Sequence, residues 1–341
     1  MTRLVPLVLC CAALVLAACG EREDPAPDGQ AGPDRVSIML DYFPNADHAG
    51  LYAAMDGGAF DEVKLDVEAR TPADPSAPLR LLEAGRVDLA ISYEPEVLLA
   101  RDRGAKVVAI GALVQKPLTS IISIGKDPIR RPEDLAGKRI GTAGIPYQDA
   151  YLKAITEGAG LSEDDVEKVD VGFNLTPAMV SGRVDGTLGS FWNYEGVELE
   201  RRDRKPTILK VDELGIPTYN ELVIVAREET ARTKGAILRR FLQGLAQGHV
   251  ALREDPDAGI DPLLAANKDL DRGLQRAAVR ATLPVFFPAD EDKPFGWMEE
   301  NEWLAYAKWM NDNGLLKRPV DPRGALTTEF LPGEGPQRDA S

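Results

Sequence analysis

The side chains best equipped for chemistry crowd into three short segments. Asp41-Tyr42-Phe43-Pro44-Asn45-Ala46-Asp47-His48 puts acids, aromatic rings, an amide and an imidazole into one turn. Pro44 and Asn45 form turns in any protein, yet this density of functional groups is unusual for a purely structural loop. A second cluster is Ser92-Tyr93-Glu94-Pro95-Glu96, and a third is Ser190-Phe191-Trp192-Asn193-Tyr194-Glu195. Aromatic faces stack on flat molecules, and ionised carboxylates accept charge-assisted hydrogen bonds. The expected chemistry is capture of a small molecule; no catalytic residue is assigned.

Other chemistries lack their residues. The chain holds two histidines, His48 and His249, so a histidine metal cluster is excluded. Its three cysteines, Cys10, Cys11 and Cys19, all lie in the first 19 residues, which leaves the remainder without a disulfide framework or a thiolate metal site. No glycine-rich loop ends in Lys-Ser or Lys-Thr, so a nucleotide-hydrolysing site is not expected. No cofactor is expected either. A formal net charge of −15 argues against nucleic acid and anionic lipid headgroups as partners.

The elements that must position the clusters can be read from a repeat. Ala84-Gly85-Arg86-Val87-Asp88 leads into Leu89-Ala90-Ile91 and the second cluster; Ser181-Gly182-Arg183-Val184-Asp185 leads into Gly186-Thr187-Leu188 and the third. In both copies a glycine stops a helix, a strand begins, and the strand ends in aromatics and carboxylates. A spacing of about a hundred residues fits duplicated lobes better than a solenoid. Loops beyond the carboxyl ends of strands are where open α/β sheets bind ligands. Strand-like runs at residues 36–40, 65–69, 87–92, 107–110, 120–124, 139–142, 184–188 and 222–226 alternate with helical patterns, the signature of α/β layers. Residues 119–124 and 221–226 are expected to cross between the lobes and form a hinge. Helices are expected at 236–253, which carries His249 as a surface or packing residue, and at 301–313, where Trp303, Tyr306, Ala307 and Met310 form a core stripe. Tyr147, after Gly144-Ile145-Pro146, stands at a strand-to-helix junction as a ligand contact or a lid.

At the N-terminus, Arg3 is followed by an apolar run too short for a spanning helix, the pattern of a secretory signal peptide. Leu16-Ala17-Ala18-Cys19 resembles the lipobox of bacterial lipoproteins, which implies lipidation of Cys19 and anchoring to the membrane outside the cytoplasm. The expected organisation is a signal peptide over 1–18, a flexible tether over 19–35, a discontinuous first lobe over 36–118 and 224–332, and a second lobe over 119–223.

Taken together, the chain resembles the SsuA/THI5-like (NMT1/THI5) binding proteins, and within them those that bind the formylaminopyrimidine precursor of thiamine. The resemblance rests on residues 40–50, Asp74-Pro75-Ser76-Ala77-Pro78-Leu79, the second cluster, Ala112-Leu113-Val114-Gln115 with Leu118-Thr119-Ser120, and above all Phe191-Trp192-Asn193-Tyr194-Glu195-Gly196. It implies a type II periplasmic-binding-protein fold, a small heteroaromatic ligand, and as partners an ABC permease with its ATPase; the protein itself is expected to be a monomer. For an aminopyrimidine, Tyr42, Trp192 and Tyr194 are the expected stacking walls, and Glu195, then Asp41, the carboxylate that grips the ring edge. Asn45, Ser92, Tyr93, Thr119, Ser120 and Asn193 offer neutral donors and acceptors, and His48 is either a ligand contact or a support of its loop. The same family includes pyrimidine synthases that consume pyridoxal phosphate and a histidine of their own chain and need iron. That makes an enzyme the alternative, against which stands the lack of the synthases' cysteine-rich motif. A further alternative keeps the fold and changes the ligand to a sulfonate, nitrate or another heteroaromatic.

Overall fold

A computed structural model describes residues 32–318 and 321–333; the expected signal peptide, Cys19 and most of the expected tether lie outside the described residues. Ten strands run in chain order: β1 (Asp34–Met39), β2 (Leu65–Arg70), β3 (Leu89–Ser92), β4 (Val107–Val114), β5 (Thr119–Ser123), β6 (Arg139–Thr142), β7 (Glu167–Asp170), β8 (Gly186–Phe191), β9 (Thr207–Lys210) and β10 (Leu222–Arg227). They form two five-stranded sheets, ordered β2-β1-β3-β10-β4 and β7-β6-β8-β5-β9. In the first, β1 pairs parallel with β2 and β3, and β10 pairs antiparallel with β3 and β4. In the second, β6 pairs parallel with β7 and β8, and β5 pairs antiparallel with β8 and β9. The two sheets therefore share one plan, in which the antiparallel strand of each is the one that arrives from the other sheet.

The sequence repeat performs the same mechanical task in both sheets. Gly85 (φ 67°) and Gly182 (φ 73°) take the left-handed conformation that ends the helices Ala77–Glu83 and Leu175–Val180, where a side chain would be strained. After each glycine the chain closes on its helix, Arg86 N–H donating to Leu81 O and Arg183 N–H to Ala178 O, both at 2.9 Å. The repeated acid then staples the new strand to its parallel neighbour, β1 in the first sheet and β6 in the second. Asp88 accepts from Ser37 N–H at 3.0 Å and its own N–H reaches Ser37 O at 3.1 Å; Asp185 does the same with Arg139, at 2.8 Å in each direction. Asp88 and Asp185 are thus frame residues. Asp88→Ala should lower unfolding stability by about 1–2 kcal/mol, the cost of hydrogen bonds to a charged group at a half-buried site, while leaving ligand affinity unchanged; urea titration beside calorimetry would check both.

The segments expected to cross between lobes are strands within the sheets. All five residues of β5 are buried and paired on both sides, because a free-standing strand would leave its backbone groups unsatisfied. The crossings are the stretches before the strands, residues 115–118 outward and 211–221 on return. Two strands escaped the sequence reading: β7, Glu-Lys-Val-Asp, and β9, Thr-Ile-Leu-Lys. Both are edge strands, and charged side chains there blunt an exposed ladder at the expense of the hydrophobic pattern. The expected helices appear as Gly235–Glu254 and Glu300–Asp312. His249 is fully buried, stacked on Phe295 with ring centroids 4.4 Å apart, and Trp303, Tyr306, Ala307 and Met310 are core residues. A further helix, Arg272–Phe286, was not anticipated and contributes to the site.

Candidate functional site

The loops that follow β1, β3, β6 and β8 meet at a cleft enclosing about 440 Å³ of space free of protein atoms, part of it open to solvent. After β1 the chain makes a 3₁₀ turn, Ala46–His48, capped by Asn45, whose side-chain oxygen accepts from Asp47 N–H at 2.8 Å. The cap fixes the ring of His48: Asn45 N–H donates to Nδ1 at 3.2 Å, so Nε2 carries the proton and donates to Asp41 Oδ1 at 2.8 Å. The other oxygen of Asp41 accepts from the Tyr93 hydroxyl at 2.9 Å. Asp41, Asn45 and Tyr93 line the cleft and His48 does not. Of its two expected roles, the fully buried His48 takes that of supporting the loop and orienting Asp41.

From the second sheet, β8 ends at Phe191 and continues into a π-helical turn, Trp192–Gly196. Phe191 at the end of the strand, and Tyr194 and Glu195 within the turn, face the cleft, while Trp192 is turned away. The indole N–H of Trp192 donates to Pro117 O at 3.0 Å, and the ammonium of Lys210 sits 4.5 Å from the ring centre. Trp192 is therefore not a wall of the cleft, and Phe191 takes the expected place. Trp192→Phe should leave ligand affinity within about twofold of wild type, the scale of a substitution away from the contact surface, in a calorimetric titration.

Glu195 stands at the cleft with one carboxyl oxygen accepting from Phe191 N–H at 2.7 Å. Burial, reinforced by Glu198 and Asp47, pushes its carboxyl up to about 8 against the pull of backbone N–H groups. Tyr194 beside it accepts at its hydroxyl from Gln275 Nε2 at 3.0 Å. Tyr42 spans the gap: its hydroxyl donates to Phe173 O at 2.7 Å, and its ring meets Phe173 edge-on at 4.4 Å. Burial raises both tyrosine hydroxyls well above the ordinary range. Tyr147 lines the cleft from the start of Pro146–Gly158, its ring 5.7 Å from that of Tyr93.

Four expected contacts are spent on the frame. Ser92 Oγ donates to Glu96 at 2.9 Å, Thr119 Oγ1 to Glu221 at 2.9 Å and Ser120 Oγ to Leu118 O at 3.1 Å. Asn193 donates to Asp47 Oδ1 and to Thr282 Oγ1, both at 2.6 Å, binding the loop after β8 to the loop after β1. None of the four lines the cleft: each is buried and donates its side-chain hydrogen bonds inside the protein, although Asn193 Oδ1 is left without a partner.

Conversely, Asp47, Gln148 and Gly189 line the cleft without having been singled out. Asp47 sat inside the first cluster, which was its signal; burial, with Asp41 adding to it, pushes its carboxyl up to about 6 against His48, Asn193 and Thr282. Gln148 had only its neighbour Tyr147 to recommend it. Its Oε1 accepts from Ala143 N–H at 2.9 Å, and its amide lies so near Gly189 that a Cβ there would meet it at 2.2 Å. The lining thus presents three carboxyl groups, four tyrosines and Phe191, with no lysine or arginine among them. Such a surface suits a flat ligand that donates hydrogen bonds and offers an anion no positive charge. Among the described residues no group of three His, Cys, Asp and Glu side chains is arranged to hold a metal ion, and no helix is long and apolar enough to cross a membrane.

Known proteins resemble the chain along most of its length. The NMT1/THI5 like family matches residues 45–259. A formylaminopyrimidine-binding protein of Halalkalibacterium halodurans is 31% identical over 328 residues, covering 96% of this chain and 98% of that protein. A 4-amino-5-hydroxymethyl-2-methylpyrimidine phosphate synthase of Schizosaccharomyces pombe is 24% identical over 88% of each. Among solved structures, the alkanesulfonate-binding protein SsuA of Xanthomonas axonopodis pv. citri superposes with a TM-score of 0.69 at 19% identity, covering 87% of this chain and 99% of that one. At that identity the likeness is one of fold, and the fold is the type II periplasmic-binding-protein fold expected from the sequence.

Proposed function

Because this chain belongs to the NMT1/THI5 like family, we propose that it is the extracytoplasmic solute-binding component of an ABC importer, capturing a thiamine-precursor aminopyrimidine of the formylaminopyrimidine type. The observation that carries the ligand class is the lining of the cleft: acids and aromatic rings, with no basic side chain. An aminopyrimidine presents an amino donor beside a basic ring nitrogen; in this reading Glu195 grips that edge through the carboxyl oxygen not held by Phe191 N–H, and Tyr42, Tyr194, Phe191 and Tyr147 are the ring contacts. A sulfonate or nitrate would meet three carboxyl groups, so the anion reading is disfavoured although SsuA shares the fold. Lipidation at Cys19 would hold the monomeric protein at the membrane, and the ligand-closed form would be what the permease recognises. Calorimetric titration with formylaminopyrimidine and related pyrimidines tests the ligand; absence of binding to all of them would remove it.

The relatives named as pyrimidine synthases raise the competing reading of an enzyme. His48, the residue that would serve it, has both ring nitrogens engaged and no face on the cleft. Incubation of the protein with iron and pyridoxal phosphate is expected to yield no pyrimidine, and formation of product would decide for the enzyme.

A further inference from the structure

Adjoining the inner cleft, and sharing Tyr42, Asn45, Tyr194 and Glu195 with it, is a groove of about 640 Å³ that opens to solvent. Its character differs from that of the inner cleft. Phe43, Pro44, Phe173, Pro177 and Leu270 give it apolar walls. Phe43 is 42% exposed, one of two large apolar side chains left so uncovered among the described residues. The rings of Phe43 and Phe173 touch at 4.5 Å, tilted by 54°; one follows β1 and the other β7, so they close on each other from opposite sheets. Thr176, only 5% exposed, borders the same groove, and its hydroxyl has no hydrogen-bond partner. The one cation on the wall, Arg202, is held by Glu198 at 2.6 Å. With Glu195 also on the rim, the groove offers an anion no free positive charge.

Resting on the reading that a ring occupies the inner cleft, we infer that this groove is an outer subsite for a neutral, apolar or aromatic substituent carried by that ring. A solvated phenylalanine pair contributes little to folding, whereas covering it with an apolar substituent removes its surface from water and strengthens binding. Thr176, its hydroxyl unpartnered, is a hydrogen-bonding group at the border of the space such a substituent would fill. The subsite would make the protein selective for what the pyrimidine carries as well as for the pyrimidine.

The test uses three probes: 4-amino-2-methylpyrimidine bearing methyl, benzyl or phosphomethyl at ring position 5. Each is titrated calorimetrically into wild type and Phe43→Ser, an exposed change whose folding is checked by circular dichroism. The benzyl probe should bind wild type about tenfold more tightly than the methyl probe. That gain should vanish in Phe43→Ser while methyl affinity stays unchanged. A benzyl probe no tighter than methyl, or a gain that survives Phe43→Ser, overturns the subsite alone. Tightest binding of the phosphomethyl probe overturns it in favour of an anion site. Failure of all three to bind wild type removes the inner-cleft reading, and the subsite with it.

Discussion

Glu195→Ala should weaken formylaminopyrimidine binding by about 100-fold, because the variant loses two hydrogen bonds, one charge-assisted and worth roughly 1.5–3 kcal/mol and one neutral and worth roughly 0.5–1.5 kcal/mol. The pH dependence gives a sharper signature. The bound edge needs one proton shared between Glu195 and the ring nitrogen, whichever of them carries it. Above about 8 the free carboxyl has lost its proton, so binding must take one up and affinity should fall by up to tenfold per pH unit. Glu195→Gln should abolish that fall. The unliganded protein has a matching slope. With the folded carboxyl at about 8 against an ordinary 4.5, the native state holds more protons than the unfolded state between those values, so stability declines as pH rises through that window and is level outside it. Glu195→Gln should be the more stable protein at the alkaline end, by a few kcal/mol. Chemical denaturation of both proteins from pH 5 to 9 would check the sign, and a wild-type stability that rose with pH as Glu195 titrates would refute the buried-acid account. The other acids near it, Asp47, Glu198 and Asp41, and the hydroxyls of Tyr42 and Tyr194 contribute to the same field, so the slope is read from the difference between wild type and variant.

Glu221→Ala should be among the most destabilising single changes in the chain. This fully buried carboxylate immediately precedes β10 and ties together the two crossings between the sheets. It accepts from Leu118 N–H at 2.6 Å, Thr119 N–H at 2.8 Å, Thr119 Oγ1 at 2.9 Å and the Tyr219 hydroxyl at 3.0 Å. Burial still pushes its carboxyl up to about 7. Removing the acceptor leaves two backbone N–H groups buried without partners, at roughly 1–3 kcal/mol each, so a net loss of about 2–4 kcal/mol is expected. A lower urea midpoint at unchanged slope would confirm a loss of stability with the same unfolding reaction. Glu221→Gln keeps one carbonyl acceptor and should lose less; equal stability of the alanine variant and wild type would show that the crossings are held by something else.

The fate of the expected site residues shows where one-dimensional reading stops. Thr119 sits in a segment rich in polar donors, and nothing local says that its hydroxyl and its N–H are both taken by Glu221, about a hundred residues away. Asn193 likewise belongs to Asp47 and to Thr282 of an unanticipated helix. Trp192 was the most conspicuous aromatic in its cluster, yet the end of β8 and the π-helical turn after it placed Phe191 and Tyr194 on the cleft and sent the indole to Pro117. Asp47 was overlooked among stronger neighbours although it lines the cleft.

The amino-acid sequence by itself determined the α/β alternation, the duplication, the family, and the concentration of acids and rings at strand ends. Those are properties of local pattern: hydrophobic period, helix-stopping glycines and turn formers act over a few residues and can be read in place. Tertiary structure alone decided which side chains of each cluster face the cleft and which are consumed by the frame. The reason is that a buried polar group must find a partner, and in this chain the partners of Asp41, Asp47, Thr119 and Asn193 are fixed by how the loops of two sheets and one distant helix come together in space.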